Sequence, residues 1–497
     1  MTPPRFKYAR ISEFEYLLKY IVWGVLITGV LLRLAVYLQC DSLFADEADV
    51  ARNIFERSYI TLTQPLNYYQ YAPPIFLWIV KTCTVAFGLS EYAFRLFPLF
   101  CGMLSLGVFY SVLKYFTNYR GAWYAILLLA LGPIYIHYGN AIKQYVPDML
   151  VGLTLVWLAL KNEVSKKSNF KLFIIWAIAG SVAIWSSMPS VFILAGVGVY
   201  YFAEMVKEKD FSRLGFLLAA GIIWLGQFAF YYILILRPQA NSEYLQNFHK
   251  NYFFYWPANF EILSNDVELF FSFIATAGGH LVLALLLNIA CIIIAIFYWA
   301  RVNLPRLLLV VIPLTAVLFA AALHQYTLIP RVTLFAMPLL LILIATGLQQ
   351  LLSFGPIFFR LVIVVFAIIN VVNFNAIKNF VTPMQQQEMK TNLDFLLEKQ
   401  ITGKELYVEQ LAVPAYVYYT NIHPQKLHWA YLLGADTLNY GVNFDSLSKT
   451  FPAKSAMLYS WNEERKINDQ QRAIRANVTL IDSNIVKGGR VYIYLRK

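Results

Sequence analysis

The sequence predicts an α-helical polytopic membrane protein with a small C-terminal external α/β domain. The chain has 497 residues, of which 59% are hydrophobic, 17% aromatic and only 14% charged. A soluble protein carries about 25% charged residues. Apolar runs long enough to cross a bilayer recur from Tyr16 to about Ile377. From about Asn379 the polar residues return, together with short β-prone stretches.

Eleven apolar runs are the predicted transmembrane helices of a first domain at residues 1–377. They lie at 17–38, 95–116, 121–137, 146–160, 171–187, 190–206, 213–236, 276–300, 305–323, 331–350 and 357–377. Arg5, Lys7 and Arg10 precede the first run without a small-residue cleavage pattern. This favours a retained first helix over a removed signal peptide.

The basic residues give a formal net charge of +12 and lie mainly in short loops between the apolar runs. This is the positive-inside pattern, and it disfavours nucleic acid as a partner. It predicts a multi-pass protein of the cytoplasmic (inner) membrane with a cytoplasmic N-terminus. Alternation then places the loops 39–94, 138–145, 237–275 and 324–330 and everything after residue 377 on the periplasmic or extracellular side.

Residues 75–89 are apolar but short of the roughly 20 residues that a span requires, and Lys81 lies in their middle. A span here would also place every later basic loop outside. We therefore expect a juxtamembrane helix within the first external loop, 39–94.

The C-terminal domain is expected at residues 378–497. Its β-prone stretches are 405–409, 456–461, 478–481 and 491–495, and helix-like stretches lie at 391–399 and 468–475. This mixture predicts a periplasmic or extracellular α/β domain of about a hundred residues, within the usual size of a domain.

Several classes of site are disfavoured by the motifs that the sequence lacks. The six histidines show no metal-ligand spacing, and the four cysteines form no CxxC pair. No Walker or GxGxxG loop precedes a helix. The sequence therefore indicates no cofactor with certainty and leaves open whether a divalent cation assists.

An acidic cluster opens the first external loop directly after the first apolar run. It consists of Asp46, Glu47 and Asp49. Asp46 would be a suitable N-cap for a helix through Ala51–Glu56, because aspartate favours that position. Alternatively, a carboxylate at the aqueous mouth of a helix bundle is placed to take a proton from a hydroxyl nucleophile. Both interpretations remain open from the spacing alone.

A second cluster, Lys143-Gln144-Tyr145-Val146-Pro147-Asp148, occupies a short external loop between two runs. Lys143 opposes the charge bias of its side of the membrane, which favours a cavity with an anionic partner such as phosphate over a snorkelling lysine. Asp148 follows Pro147 at the start of the next run, where an aspartate also favours a helix N-terminus.

Two further features lie in later external loops. Arg331 follows Pro330 at the expected external start of a run, where a guanidinium could bind phosphate or anchor the helix at the interface. The loop 237–275 is rich in aromatic and polar residues, including His249 and Tyr252. An interfacial aromatic belt, sugar stacking or a lipid-chain groove would each explain this composition.

The order of these motifs resembles the GT-C superfamily, and specifically glycosyltransferase family 39 proteins related to protein O-mannosyltransferases and to the aminoarabinose transferase of lipid A. The resemblance covers roughly residues 17–350. It rests on Asp46-Glu47-Ala48, Gln64-Pro65-Leu66, Tyr71-Ala72-Pro73-Pro74-Ile75-Phe76-Leu77, Phe87-Gly88, Arg95-Leu96-Phe97-Pro98 and Lys143-Gln144-Tyr145 with Asp148. The tail, with Ala415-Tyr416-Val417-Tyr418-Tyr419 and Tyr492-Ile493-Tyr494-Leu495, resembles the external domain of these proteins.

The resemblance implies a GT-C fold and a site on the external face. By position, it implies Asp46, Glu47 and Asp148 as catalytic residues and Lys143 and Arg331 as donor-phosphate ligands. The expected substrate cavity adds Tyr71, Pro74, Gln144, Tyr145, His249 and Tyr252. Many relatives carry a lysine before the Pro-Pro pair, where this chain has Ala72. Either Lys143 supplies that charge or the donor is bound differently.

The implied function is a glycosyltransferase that moves a sugar from a polyprenyl-phosphate donor to a protein, lipid A or glycan acceptor, by inverting displacement at the outer face of the membrane. A transporter or flippase of a lipid-linked sugar is the alternative, although such proteins tend to show repeated halves, which this sequence lacks. A structural subunit of an envelope-glycan complex is a third. The expected partners are the lipid-linked donor, the bilayer and the acceptor.

Overall fold

The computed structural model describes residues 13–162, 169–240, 242–354, 387–438, 452–460, 478–486 and 488–496, with single positions at 357, 361, 364, 365 and 368. The described residues are mostly helical, with a small C-terminal sheet, so the predicted fold class is confirmed. The chain divides into two compact units. The first unit comprises Met1–Val36, Ala72–Phe76 and Pro98–Thr382, and the second comprises Tyr37–Tyr71, Leu77–Phe97 and Pro383–Lys497.

The helices of the described part run in chain order as follows: α1 (Glu13–Leu38), α2 (Ala45–Glu56), α3 (Pro74–Phe87), α4 (Glu91–Leu113), α5 (Tyr119–Leu131), α6 (Pro133–Tyr138), α7 (Tyr145–Lys161), α8 (Asn169–Ser186), α9 (Ser190–Glu208), α10 (Leu214–Tyr231), α11 (Arg237–Ala240), α12 (Glu243–His249), α13 (Phe260–Gly278), α14 (Val282–Val302), α15 (Leu304–Ala322), α16 (Met337–Phe354), α17 (Met389–Glu398) and α18 (Val413–Val417).

Seven helices of the described part are long and apolar enough to cross a membrane, by length and composition. They are Tyr16–Leu38, Glu91–Leu113, Asn169–Ser186, Ser190–Glu208, Leu214–Leu236, Val282–Val302 and Leu304–Ala322. Shorter apolar helices lie at Pro74–Phe87, Tyr119–Leu131 and Met337–Ser353. The expected run at 357–377 lies largely outside the described residues, so the total of eleven spans stays a prediction.

Three expectations about boundaries change. The run at 121–137 divides into α5 and α6, because Pro133 cannot continue the hydrogen bonding of α5. The run at 331–350 becomes helical only at Met337. The loop 237–275 contains most of α13, which Asn259 caps by accepting from the Ile262 amide at 2.8 Å.

The expected helix at 75–89 is confirmed as the 14-residue α3, and its juxtamembrane position stays a prediction.

The C-terminal sheet has five strands in the order β2-β1-β3-β5-β4. They are β1 (Leu406–Glu409), β2 (Asp436–Leu438), β3 (Lys454–Ser460), β4 (Val478–Val486) and β5 (Gly489–Arg496). β1 pairs in parallel with β2 and β3, and β5 pairs antiparallel with β3 and β4. Four of these strands and α17 coincide with predicted stretches. The helix expected at 468–475 and the domain boundary at 377/378 lie outside the described residues.

One face of this sheet forms a buried core. Met457 and Tyr459 of β3 and Tyr492 and Tyr494 of β5 alternate along their strands, and each is at most 2% exposed. Alternate residues of a strand point to the same face, so the aromatic-rich alternation Tyr492-Ile493-Tyr494 is explained by packing.

Within the first unit, glycine allows close approach between helices. A Cβ added at Gly347 in α16 would lie 2.0 Å from the carbonyl oxygen of Cys291 in α14. Membrane helices commonly use small residues for such contacts, because the apolar lipid provides little hydrophobic drive for helix association. These contacts fix the scaffold on which the loops of the first unit are carried.

Candidate active site

In the second unit, Asp46 and Glu47 lie in the first turn of α2. The helix begins after Phe44, whose amide donates to Glu47 Oε2 at 3.1 Å. The capping interpretation of Asp46 is therefore wrong: Phe44 occupies the N-cap and Glu47 satisfies its amide. Asp46 is half-buried, whereas Glu47 is only 6% exposed.

Arg95 holds the buried member of this acidic pair. Its Nε and Nη2 atoms lie 3.3 and 2.9 Å from the two carboxylate oxygens of Glu47. Its remaining donors reach the carbonyl oxygens of Asp41 at 2.7 Å and Ser42 at 3.2 Å. Arg95 thus fixes both the start of α2 and the segment before it, and Glu47 has a structural role in this arrangement. Burial raises the pKa of the Asp41 carboxyl, although Arg95 acts in the opposite direction.

C-terminal residues of the second unit hold the same segment. Glu91 accepts from the Tyr419 hydroxyl at 2.9 Å and lies 3.2 Å from Lys390 Nζ and 3.4 Å from His423 Nε2. The Tyr419 hydroxyl also accepts from the Leu43 amide at 2.8 Å. This buried network was missed from the sequence, because its members are more than three hundred residues apart in the chain.

The loop that follows α2 contains an unusual backbone. Tyr68 and Tyr69 have positive φ values of 63° and 55°, which non-glycine residues rarely adopt in succession. Tyr68 is held by Arg52, whose guanidinium lies 3.9 Å from its ring centroid and donates to its hydroxyl at 2.7 Å. Such backbone strain occurs preferentially at functional sites. The loop leads to Tyr71, a predicted cavity residue, which is half-buried.

In the first unit, the turn between α6 and α7 carries four predicted site residues. Lys143, Gln144, Tyr145 and Asp148 are each no more than 7% exposed. The Asp148 amide donates to the Gln144 carbonyl at 2.7 Å, so α7 begins before Pro147 rather than after it. Burial of Lys143 argues against the snorkelling interpretation. Pro74, another cavity residue, is the buried first residue of α3 in this unit.

The Asp148 carboxylate keeps an unused acceptor. It lies beside Ser187, which is also buried. Its Oδ1 atom makes no hydrogen bond within the described part of the chain. A buried polar atom without a partner is costly, and a ligand donor could satisfy it. Asp148 is therefore suited to accept from a bound hydroxyl or amine.

Arg33 in α1 supports the helix that leads to this turn. Its guanidinium is fully buried and donates to the carbonyl oxygens of Gly29 at 2.9 Å, Ala130 at 2.8 Å and Leu129 at 3.0 Å. The last two carbonyls belong to the C-terminal end of α5, where a cation also interacts favourably with the negative end of the helix dipole. Arg33 was not predicted as a functional or structural residue from the sequence, although an arginine inside an apolar run is itself a signal.

The first unit also brings His249, Tyr252 and Arg331 together. The Leu328 amide donates to the Tyr252 carbonyl at 3.0 Å, which joins the long aromatic loop to the segment before Arg331. Burial, assisted by the charge of Arg331, lowers the pKa of His249 to about 4. His249 is therefore neutral near pH 7, and the local positive charge is that of Arg331.

His324 completes this second cluster and was missed from the sequence. Its ring stacks on Phe253 with centroids 5.0 Å apart, and its Nε2 atom lies 2.9 Å from the Phe254 carbonyl oxygen. Together these contacts order the aromatic loop over the Arg331 segment. In the described ranges, no group of three or more His, Cys, Asp or Glu residues could hold a metal ion.

Comparison with known proteins finds a family match for part of the chain and structural matches for most of it. Residues 71–233 match the dolichyl-phosphate-mannose-protein mannosyltransferase family. No curated protein sequence matches the chain significantly. The structure is similar to ArnT from Cupriavidus metallidurans in the apo state, with a TM-score of 0.53, 15% identity, and coverage of 95% of this chain and 98% of that chain.

ArnT bound to undecaprenyl phosphate gives a TM-score of 0.52 at 15% identity, with 95% of this chain and 97% of that chain covered. The Archaeoglobus fulgidus oligosaccharyltransferase tethered to an acceptor peptide gives a TM-score of 0.45 at 13% identity, covering 86% of this chain and 61% of that chain. The structural likeness to ArnT extends over both units and establishes the fold, and the family match falls on the segment that carries the Lys143–Asp148 turn. Part of the chain thus matches a mannosyltransferase family, and the fold of the chain is similar to that of ArnT.

Proposed function

We propose that the chain transfers a sugar from a polyprenyl-phosphate donor to an acceptor at the outer face of the cytoplasmic membrane, by an inverting single displacement. The observation that carries the proposal is the buried turn in which Lys143 accompanies the open acceptor of Asp148. A cation and a hydrogen-bond acceptor in one buried turn suit a ligand that has both a phosphate and a sugar hydroxyl. The undecaprenyl phosphate bound by ArnT is a polyprenyl phosphate and so carries the phosphate group of such a ligand.

In the proposed reaction, the acceptor oxygen attacks the anomeric carbon of the donor while the bond from that carbon to the phosphate oxygen breaks. Polyprenyl phosphate leaves with the bonding electrons, and the configuration at the anomeric carbon inverts. Asp46 takes the proton of an acceptor hydroxyl, which is worth about 10²–10⁴-fold in rate. Where the acceptor is itself a phosphate, Asp46 only positions it.

The cations stabilise the leaving group. Lys143 and Arg331 would neutralise the negative charge that develops on the departing phosphate, an electrostatic term that is usually the largest in such reactions. His249, with its lowered pKa, is neutral near pH 7 and adds no second positive charge beside Arg331. Asp148 would accept from a hydroxyl of the transferred sugar and so orient its ring. Glu47 acts through the placement of Asp46, because its own oxygens are held by Arg95 and Phe44.

The acceptor is a hydroxyl or phosphate of a protein, of lipid A or of another glycan. The proposal also places the N-terminus in the cytoplasm and the C-terminal domain on the periplasmic or extracellular side, as the basic loops indicate. A transporter would leave the bond between sugar and phosphate intact, so chemical release of the carrier separates the two functions.

The test uses the full chain reconstituted in lipid and supplied with a polyprenyl-phosphate sugar and a mixture of envelope acceptors. The measured quantities are sugar transfer and release of free polyprenyl phosphate. Asp46→Asn should lower kcat by about 10²–10⁴-fold. Glu56→Gln is the matched control on the same helix, because its partly exposed carboxylate lies 3.8 Å from Arg52 Nε and accepts from the Tyr68 hydroxyl at 3.3 Å, contacts that a glutamine can largely keep.

A second experiment measures turnover in Lys143→Met and in the double variant with Asp46→Asn. Residues that act on one transition state give strongly non-additive effects, so the double variant should lose far less than the product of the two single losses. Full multiplication of the two losses would mean that Asp46 and Lys143 do not serve one step. Unchanged turnover in Asp46→Asn would remove Asp46 from the mechanism, and intact donor after incubation with the native chain would exclude the transferase proposal.

A further inference from the structure

A partly open apolar pocket lies among α8, α9 and α10 in the first unit. The space between its lining atoms, counted together with the open solvent at its mouth, is about 360 Å³. Side chains from all three helices line it, among them Leu172, Trp176, Met205, Leu217, Ala220 and Arg213. None of these residues belongs to the proposed active site.

The polar groups of the tryptophan and tyrosine side chains around the pocket are satisfied by the protein itself. Trp176 Nε1 donates to the Tyr201 hydroxyl at 3.0 Å, and Trp224 Nε1 donates to the Trp176 carbonyl at 2.9 Å. The Tyr201 hydroxyl in turn lies 3.5 Å from the Asn162 carbonyl oxygen. With these groups engaged, the wall offers a ligand aliphatic and aromatic surface, which suits a hydrocarbon chain.

Arg213 is the charged side chain of the lining. It directly precedes α10, and its Nε atom is buried without a hydrogen-bond partner among the described residues. Of the acidic side chains nearby, Glu204 lies 3.5 Å from Lys207 Nζ. Asp210 accepts from the Ser212 amide at 3.0 Å and also interacts electrostatically with Arg213. Glu208, the last residue of α9, is exposed. The pocket thus combines an apolar interior with a guanidinium that still has a donor to offer.

The surroundings indicate where the ligand comes from. Outward-facing apolar side chains flank the pocket on α8 and α10, where Ile178 is 60% exposed, Leu218 57% and Ile222 70%. Both helices are candidate membrane spans, so these side chains suit contact with lipid. The basic residues Lys171, Lys207 and Lys209 lie at the same end of the helices as Arg213 and are exposed. Basic pockets between membrane helices at the end with excess positive charge favour anionic lipid headgroups.

We infer that this pocket binds one anionic diacyl phospholipid, with an acyl chain against Trp176 and Leu217 and the phosphate on Arg213. A guanidinium gives the phosphate paired, directional hydrogen bonds, which a zwitterionic headgroup weakens by its own cation. The site lies at the end of the helices where basic loops predict the cytoplasmic side. It would hold a structural lipid that is distinct from the donor substrate.

The experiment measures lipid binding to the full-length purified chain, by native mass spectrometry and by quenching of tryptophan fluorescence with brominated acyl chains. Phosphatidylglycerol should bind about tenfold more tightly than phosphatidylcholine, as expected for one charge-assisted contact. Arg213→Gln should abolish most of this preference. Arg301→Gln is the matched control, because Arg301 is an exposed basic residue at the end of α14.

Two further measurements test whether the lipid occupies this pocket and whether its acyl chain contributes to binding. Trp176→Phe should remove part of the quenching by brominated phosphatidylglycerol, because its indole lines the pocket. Excess inorganic phosphate should not displace the lipid, since the acyl chain supplies the remaining affinity. Equal binding of both phospholipids, or equal loss in Arg213→Gln and Arg301→Gln, would overturn the inference. Displacement by undecaprenyl phosphate at equal concentration would overturn it in favour of a donor-lipid site. None of these results depends on sugar transfer, so the inference and the proposed function can fail separately.

Discussion

Arg95 and Glu47 form a bidentate ion pair within the second unit, with both side chains buried and nitrogen to oxygen distances of 3.3 and 2.9 Å. The two residues are 48 positions apart in the chain. The pair fixes the first turn of α2, on which Asp46 lies. A change at Arg95 should therefore alter both stability and catalysis, although Arg95 is placed to position Asp46 rather than to react.

Arg95→Met should lower the free energy of unfolding by about 3–5 kcal/mol, because it leaves the Glu47 carboxylate buried without its counterion. Arg95→Lys should lose less stability but not restore the native value, because an ammonium cannot make two parallel contacts. The readouts are thermal unfolding in lipid and the separate values of kcat and KM. In the folded variants we expect kcat to fall more than KM changes.

Arg57→Met provides the control for this measurement. Arg57 donates to the Thr61 carbonyl and to Asn67, in a contact that is partly exposed. Its loss should change stability by less than about 1 kcal/mol. Equal destabilisation by Arg57→Met and Arg95→Met would contradict the importance of the buried pair.

Arg33→Met should destabilise the start of the Lys143 turn through α5. The variant removes three hydrogen bonds from a charged donor, and the carbonyls of Leu129 and Ala130 lose partners at the end of the helix. We expect a loss of about 2–4 kcal/mol, since relief from burying the charge offsets part of the lost bonds. Thr28→Val on the same helix removes one exposed side-chain hydrogen bond and should have little effect. A melting temperature of Arg33→Met equal to that of Thr28→Val would exclude this role.

His249 predicts a pH dependence of stability. Its pKa is about 4 in the folded chain, against about 6.5 in an unfolded one. Between these values the unfolded state binds more protons, so stability is fully present above about pH 6.5 and is lost as the pH falls toward 4. The shift corresponds to about 3 kcal/mol, which we reduce to about 1–2 kcal/mol because the side chain is partly exposed.

The measurement is the difference in unfolding free energy between the native chain and His249→Gln from pH 7.5 to pH 4. Because glutamine does not titrate, the native chain should lose more stability than the variant on acidification. His280→Gln, which changes an exposed histidine, should instead keep the native pH dependence. Parallel curves for the native chain and His249→Gln would contradict the lowered pKa.

Gly347→Ala should disturb the packing of α14 against α16. The added Cβ would lie 2.0 Å from the Cys291 carbonyl oxygen, which is backbone and cannot rotate away. Relief requires the helices to separate, at a cost of about 1–3 kcal/mol. Gly221→Ala in α10 is the control, because an added Cβ there meets nothing within 4 Å. Thermal unfolding should separate the two variants, and similar melting temperatures would show that the helices already have room.

Local pattern accounts for much of the fold that the sequence predicted. Long apolar runs predicted the spanning helices, because backbone groups in lipid must be paired within the segment. Short β-prone stretches predicted β3 and β5, whose side chains Met457, Tyr459, Tyr492 and Tyr494 share one core. Periodicity failed at α13, where Glu261, Asp266 and Glu268 interrupt the apolar run and led us to expect a loop. The same pattern wrongly predicted a helix that begins at Arg331, because the helix begins only at Met337 although the residues before it are largely apolar.

The sequence by itself determined the membrane class, the GT-C resemblance and the residue types able to hold a phosphate or take a proton. Tertiary structure alone decided which of them are engaged by the protein. Glu47 and Asp46 are chemically similar neighbours in the chain, and it is Glu47 to which folding brings Arg95, which gives Glu47 a structural role. Likewise, the low pKa of His249 arises from burial and from Arg331, 82 positions away. Charge and burial depend on distances in space, which residue order does not specify.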